Sequence, residues 1–147
     1  MRYFVPLMLL CVASCINNLT TPGDAAAIQA YTLATVDQDS LPARAGDAST
    51  VQWVLSGSLT LQPDGYYILA ERDSIWNGRA FARADRTEGG TWAVDGAMLT
   101  LSDTATGETD SYGAPEAPYF GRIASNVVLL TIPGETGSGS HLYRYQR

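Results

Sequence analysis

The 147-residue sequence contains no lysine, one histidine and two cysteines. Each scarcity closes off chemistry. A Ser-His-Asp triad would depend on His141 alone, and no Gly-x-Ser-x-Gly elbow accompanies it. His141 lies between a Gly- and Ser-rich loop and the start of the last expected strand, the setting of a strand-end histidine. A zinc site needs three or four His, Cys or carboxylate ligands, which this inventory does not supply. Asp37-x-Asp39, with Asp47 nearby, lacks the full loop of oxygen ligands that calcium takes. No glycine-rich phosphate loop occurs, since the glycines fall in turn contexts. Glu71, Asp73, Asp85 and Glu88 make no recognisable glycosidase pair. With Arg72, Arg79, Arg83 and Arg86 in the same stretch, they read as a solvated, salt-bridged face. The expectation is therefore a protein that is not an enzyme, with no metal and no cofactor.

Long hydrophobic runs are missing too. The longest, Tyr3 to Val12, follows Arg2 and is about ten residues, the size of a signal-peptide core and too short to span a bilayer. It ends in Val12-Ala13-Ser14-Cys15, which resembles the lipobox of bacterial lipoproteins. The resemblance implies cleavage before Cys15, a diacylglyceryl group on its thiol and a further acyl chain on its amine. At roughly 0.8 kcal/mol per buried CH₂, several such chains anchor a protein to its membrane permanently. The expected organisation is a signal peptide over 1–14, lipidated Cys15 and a tether over 15–29, and one domain over 30–147. Ile16 follows the cysteine, where Asp resembles an inner-membrane retention signal. The expected location is thus the cell envelope, on the outer membrane facing the periplasm.

Removal of the first 14 residues also removes Cys11 and leaves an alkylated Cys15 as the sole cysteine, so no intramolecular disulfide forms. The net charge of −6 becomes −7 without Arg2, which opposes binding to nucleic acid and attraction to anionic lipid. Twelve aromatics remain, including Trp53, Trp76 and Trp92, and argue against disorder.

After Ile16 to Gly23, a polar stretch with a Pro-Gly break, Asp24 to Ala30 has the composition of a single helical turn capped by Asp24. From Tyr31 onward no helical period holds. Thr50 to Gln62 alternates apolar and polar residues with only Val54 out of step, which predicts a long strand burying Val51, Trp53, Leu55, Gly57, Leu59 and Leu61. Gly57, on that face, is a place for the strand to bend. Further strands are expected at Tyr66 to Glu71, Arg79 to Asp85, Thr91 to Val94, Ala97 to Ser102, Thr109 to Gly113, Tyr119 to Ala124, Val127 to Ile132 and His141 to Tyr145. Turns are expected at Pro63-Asp64-Gly65, Glu88-Gly89-Gly90, Asp95-Gly96 and Ser125-Asn126. Leu59-Thr60-Leu61, Leu99-Thr100-Leu101 and Leu130-Thr131-Ile132 repeat one apolar-Thr-apolar pattern at unequal spacing, as strands of one sheet do. The fold class is therefore all-β: an antiparallel up-and-down meander of about 8–9 strands, closed or nearly closed into a barrel, with a β-sandwich as the alternative.

Tyr31-Thr-Leu-Ala-Thr-Val36, Leu41-Pro42-Ala43 and hairpins ending in Leu142-Tyr143-Arg144-Tyr145 resemble the small lipocalin-like lipoproteins of bacteria. The opening aromatic-x-Leu strand is similar also to that of small periplasmic META-type β domains. True lipocalins carry a Gly-x-Trp on their first strand; this sequence departs from that pattern, with Gly90-Thr91-Trp92 in mid-chain and Tyr31 where the first strand begins. The lipocalin resemblance implies a barrel that binds or presents a small hydrophobic ligand. The residues expected near such a ligand are Trp53 and Trp92, on apolar stripes, and Tyr112, Tyr119 and Phe120, around the Pro115 to Pro118 loop. The alternative is a solid barrel that serves as a structural or protein-interaction lipoprotein of the envelope, contacting an envelope protein through its outer face.

Overall fold

A computed structural model describes residues 19–20, 29–45, 51–103, 118–133 and 139–147. Among these residues every regular element is a strand. In chain order they are β1 (Leu19–Thr20), β2 (Gln29–Val36), β3 (Asp39–Ser40), β4 (Ala43–Ala45), β5 (Gln52–Leu61), β6 (Tyr66–Trp76), β7 (Phe81–Asp95), β8 (Met98–Asp103), β9 (Tyr119–Ala124), β10 (Val127–Pro133) and β11 (Ser140–Gln146). From β5 to β11 each strand pairs antiparallel with the next. β11 then pairs with β2, and β2 pairs with β5 through Tyr31↔Leu59 and Gln29↔Leu61. The sheet therefore closes: β2 and β5 to β11 form an eight-stranded antiparallel barrel, lipocalin-like in form, and not a sandwich. Closure removes the free edges that an open meander this size would expose.

The β2–β5 seam is paired at one end only. At the other end β2 pairs with β3 and β5 with β4, and the cis Leu41-Pro42 bond lies between these two short strands. Ala43 and Ala45 are buried there, so the β3–β4 strap completes the wall.

The two ends of the barrel differ. Tight turns close one of them. Gly65 (φ 87°) and Gly96 (φ 60°) take the left-handed conformation that the β5–β6 and β7–β8 turns require, and Ser125-Asn126 joins β9 to β10. The other end, the mouth, carries the Asp37-Gln38 turn, the β3–β4 strap and the β6–β7 tip, and from it depart the β8–β9 and β10–β11 connections.

Three details depart from the sequence pattern. β5 bulges between Val54 and Ser56, which reverses the facing of everything before it. Val54, out of step in the sequence, is fully buried, whereas Trp53 turns outward. Second, Glu88-Gly89-Gly90 is no turn: β7 runs straight through it, merging the two strands expected at Arg79 to Asp85 and Thr91 to Val94. Gly90 is small for a different reason. A Cβ there would collide with the Ser102 carbonyl oxygen and stand 2.8 Å from Cε1 of Tyr67. Third, Gln29 and Ala30 begin β2, so the end of the expected helical turn is strand; the rest of that turn lies outside the described residues, as does the strand expected at Thr109 to Gly113.

The core fills the closed half of the barrel and continues toward the mouth through Leu33, Val36, Ala43, Ala45, Val54 and Tyr143. Leu59, Leu61, Leu99, Leu101, Val128 and Leu130 are fully buried, and Tyr31, Tyr67, Trp92 and Tyr145 occupy the space between them. The threonines of the repeated motif, Thr60, Thr100 and Thr131, alternate to the outside.

Candidate functional site

Inward positions along β6 begin with Tyr67 and Leu69 and continue with Glu71 and Asp73. Opposite them on β7, Gly90 faces Tyr67, Glu88 faces Leu69, and Arg86 faces Glu71. The barrel lining thus changes from apolar to charged partway along two adjacent strands. Outward positions on the same stretch hold Arg72, Asp85 and Arg83. Strand parity splits what the sequence presents as one charged face into two.

Inside, the Arg86 guanidinium donates to Glu71 Oε1 at 2.7 Å and reaches Asp73 Oδ2 at 3.2 Å. Gln52 Nε2 donates to the same Asp73 oxygen at 3.0 Å. Asp73 is fully buried, and its Oδ1 has no hydrogen-bond partner among the described residues. Burial first, and then repulsion by Glu71, push its carboxyl up to about 7, against the opposing pull of Arg86. The hydroxyl of Tyr145 is likewise buried without a partner. Burial, then Glu71, raise both Tyr143 and Tyr145 well above the ordinary tyrosine range, so both are neutral donors. At the rim, Tyr119 donates to Glu88 Oε2 at 2.9 Å. Buried polar atoms are nearly always paired, so two orphaned oxygens in one interior cluster mark it as polar lining with unused hydrogen-bonding capacity.

A second polar set ties the mouth together between β2 and β11. Asp37 adopts a positive φ of 50° in the turn after β2. Its Oδ1 accepts the Leu142 N–H at 2.7 Å, and its Oδ2 lies 2.6 Å from Nδ1 of His141. Burial works to raise this carboxyl, but the His141 and Leu142 bonds outweigh it and hold it below the usual range. His141 is thus a strand-end histidine with its Nδ1 occupied. Asp37 serves this joint, Asp47 lies outside the described residues, and no three metal-ligating side chains cluster among those described.

The residues expected near a ligand separate in space. Trp92 is in the barrel, where its Nε1–H donates to the Gln62 carbonyl at 2.9 Å, and Tyr119 is inside at the rim. Trp53 and Phe120 are on the outer surface, at 36% and 53% exposure. Tyr112 and Cys15 lie outside the described residues. The structure instead assembles Gln52, Glu71, Asp73, Arg86, Tyr143 and Tyr145. The signal that locates them is the continuation of the Tyr67, Leu69 alternation into Glu71 and Asp73.

An open depression of about 410 Å³ lies on the outer wall. Small outward residues, Ser56, Ser58, Ala70 and Thr87, floor it, and the Arg72–Asp85 ion pair at 2.6 Å borders it. The chain matches no protein-family model and no curated protein.

Proposed function

We propose that this protein is a lipid-anchored lipoprotein of the cell envelope, held at Cys15 on the outer membrane and facing the periplasm. Its barrel binds a small ligand with a hydrophobic body at the mouth and performs no catalysis. The observation that carries this reading is the pair of unpartnered buried oxygens, Asp73 Oδ1 and the Tyr145 hydroxyl, in the lining above an aromatic floor. A ligand whose polar end meets those groups, and whose body lies against Tyr143 and Tyr119, satisfies both the lining and the floor. It does not thread the barrel, because side chains fill the closed half. That filling also favours the second reading, a solid barrel serving envelope partners through its outside.

Trp92 reports on the interior once the two exposed tryptophans are changed to phenylalanine. Titration of that W53F/W76F protein with fatty acids, fatty amines and neutral apolar probes should give a saturable change with one class. Tyr145→Phe, which keeps the ring and removes the hydroxyl, should weaken it about tenfold, the effect of one hydrogen bond of about 1.4 kcal/mol. A flat titration with all three classes leaves the solid-barrel reading. Labelling with an alkyne fatty acid tests the anchor: Cys15→Ala should abolish the label.

A further inference from the structure

The outside of the barrel is uneven. Eight large apolar side chains are exposed among the described residues, and five of them, Trp53, Tyr66, Ile68, Trp76 and Phe81, lie on the outward face of β5, β6 and β7. Strand register places them in two groups. Tyr66 and Ile68 stand near the turn end of β6. Trp53, Trp76 and Phe81 gather at the mouth end, where the Trp76 and Phe81 ring centroids are 5.2 Å apart. Between the groups lies the shallow depression of Ser56, Ser58, Ala70 and Thr87. At 3.3 Å per residue, Tyr66 to Trp76 spans roughly 33 Å of wall.

Charge on this wall runs against the rest of the molecule. The whole chain is acidic, yet Arg44 stands opposite Trp53, Arg83 opposite Ser74, and Arg79 lies in the tip between Trp76 and Phe81. Of the outward carboxylates on β7, Asp85 is bound by Arg72, and Asp95 stands at the turn end, away from these arginines. Exposed Trp and Phe flanked by arginines match the phospholipid interface, where the rings enter the headgroup layer and guanidinium groups meet phosphate.

The chain enters at the turn end of this wall, the end away from Trp76 and Phe81. β1 pairs with the last residues of β7, Leu19↔Asp95 and Thr20↔Val94. The other edge of those β7 residues is taken by β8, so β1 lies on the β6 side, in line with the wall. Cys15 precedes Leu19 by four residues, a reach of at most about 14 Å. A tether that short holds the turn end of the wall beside the membrane at high local concentration, and a wall lying along the bilayer brings Trp53, Trp76 and Phe81, at its far end, to the same surface.

We propose that the outer wall of β5, β6 and β7 rests on the bilayer that the Cys15 lipid enters, with Trp53, Trp76 and Phe81 in the interfacial layer and Arg44, Arg79 and Arg83 against lipid phosphates. The proposal rests on lipidation of Cys15, and its test separates the two. The full chain, purified from membranes, is reconstituted into phosphatidylcholine–phosphatidylglycerol vesicles carrying brominated acyl chains. Trp53 and Trp76 should be quenched, and the quenching should disappear in W53F/W76F, which leaves only the interior Trp92. Arg79→Glu with Arg83→Glu, both fully outside the core, should reduce it, as should omission of phosphatidylglycerol. A protein that carries the fatty-acid label but shows no bromolipid quenching overturns the wall contact. Sedimentation of that protein as a dimer would assign the wall to a second copy. Quenching without a label overturns the anchor and leaves the wall contact standing.

Discussion

The two halves of the barrel interior are built on the same strands and obey different rules. In the closed half, β5, β8 and β10 contribute leucines and valine with no exposure, and Tyr31, Tyr67 and Trp92 complete the filling. Toward the mouth the same inward rows place Gln52, Glu71, Asp73 and Arg86. Burial of apolar surface drives folding, whereas burial of charge opposes it even when the charges are paired. The closed half therefore contributes stability throughout. In the mouth half Val36, Val54, Ala43 and Ala45 contribute too, while the charged cluster beside them costs stability, and a chain selected only to fold would have continued Tyr67 and Leu69 with more of the same.

Truncation of the closed half should have the largest effect. Leu130→Ala removes a fully buried side chain between Gly121 and Tyr143 and should destabilise by about 3 kcal/mol in urea unfolding. A smaller change at the boundary of the halves comes next. Gly90→Ala sets a methyl against the Ser102 carbonyl and the Tyr67 ring and should cost about 2 kcal/mol. A loss below about 0.5 kcal/mol would mean that β7 and β8 separate there without penalty.

In the mouth the sign reverses. The folded state holds the Asp73 proton up to about pH 7, whereas an unfolded aspartate releases it near 3.8. The associated stability is complete below pH 3.8 and is lost as pH rises through 7. Asp73→Asn keeps an acceptor for Gln52 and leaves Arg86 its bond to Glu71. It should match the parent near pH 5 and exceed it at pH 8 by about 3 kcal/mol, the two pH units between pH 5 and the folded-state value of about 7. An Asn variant less stable than the parent at pH 8 would make the cluster a structural asset and erase the contrast between the halves. The smallest effect belongs to the outer wall: Arg72→Ala breaks an exposed 2.6 Å ion pair with Asp85 and should shift stability by no more than about 0.5 kcal/mol.

Much of this architecture is written in local pattern. The Ser125-Asn126 turn, the β7–β8 turn, which falls at Gly96-Ala97, one residue later than the Asp-Gly pattern places it, the strands Tyr119–Ala124 and Val127–Pro133, and the inward leucines of the apolar-Thr-apolar repeat follow from period-two alternation and from turn residues. The errors have one kind of cause. At Trp53, one extra residue in β5 reversed the facing of the strand, and nothing at Leu55 announces a bulge. At Gly89-Gly90, glycines that suit a turn serve a close approach to Ser102 and Tyr67, neighbours supplied by other strands. The interior cluster was half visible, since Glu71 and Asp73 fall on the inward parity of Tyr67 and Leu69. Charged residues are read as solvent-facing because burial is costly, and only the neighbouring strand shows that Arg86 stands ready to offset it.

The sequence alone determined the class of architecture: many short strands, tight turns and no helical period leave an antiparallel sheet, because side-chain period and turn dihedrals are local properties. The tertiary structure decided the rest. Closure through the β2–β5 pairing, the outward turn of Trp53, the inward burial of Asp73 and the gathering of Trp53, Trp76 and Phe81 on one wall all depend on register between strands. A shift of one residue exchanges inside for outside, and register is set by bulges and partners that lie far away in the chain.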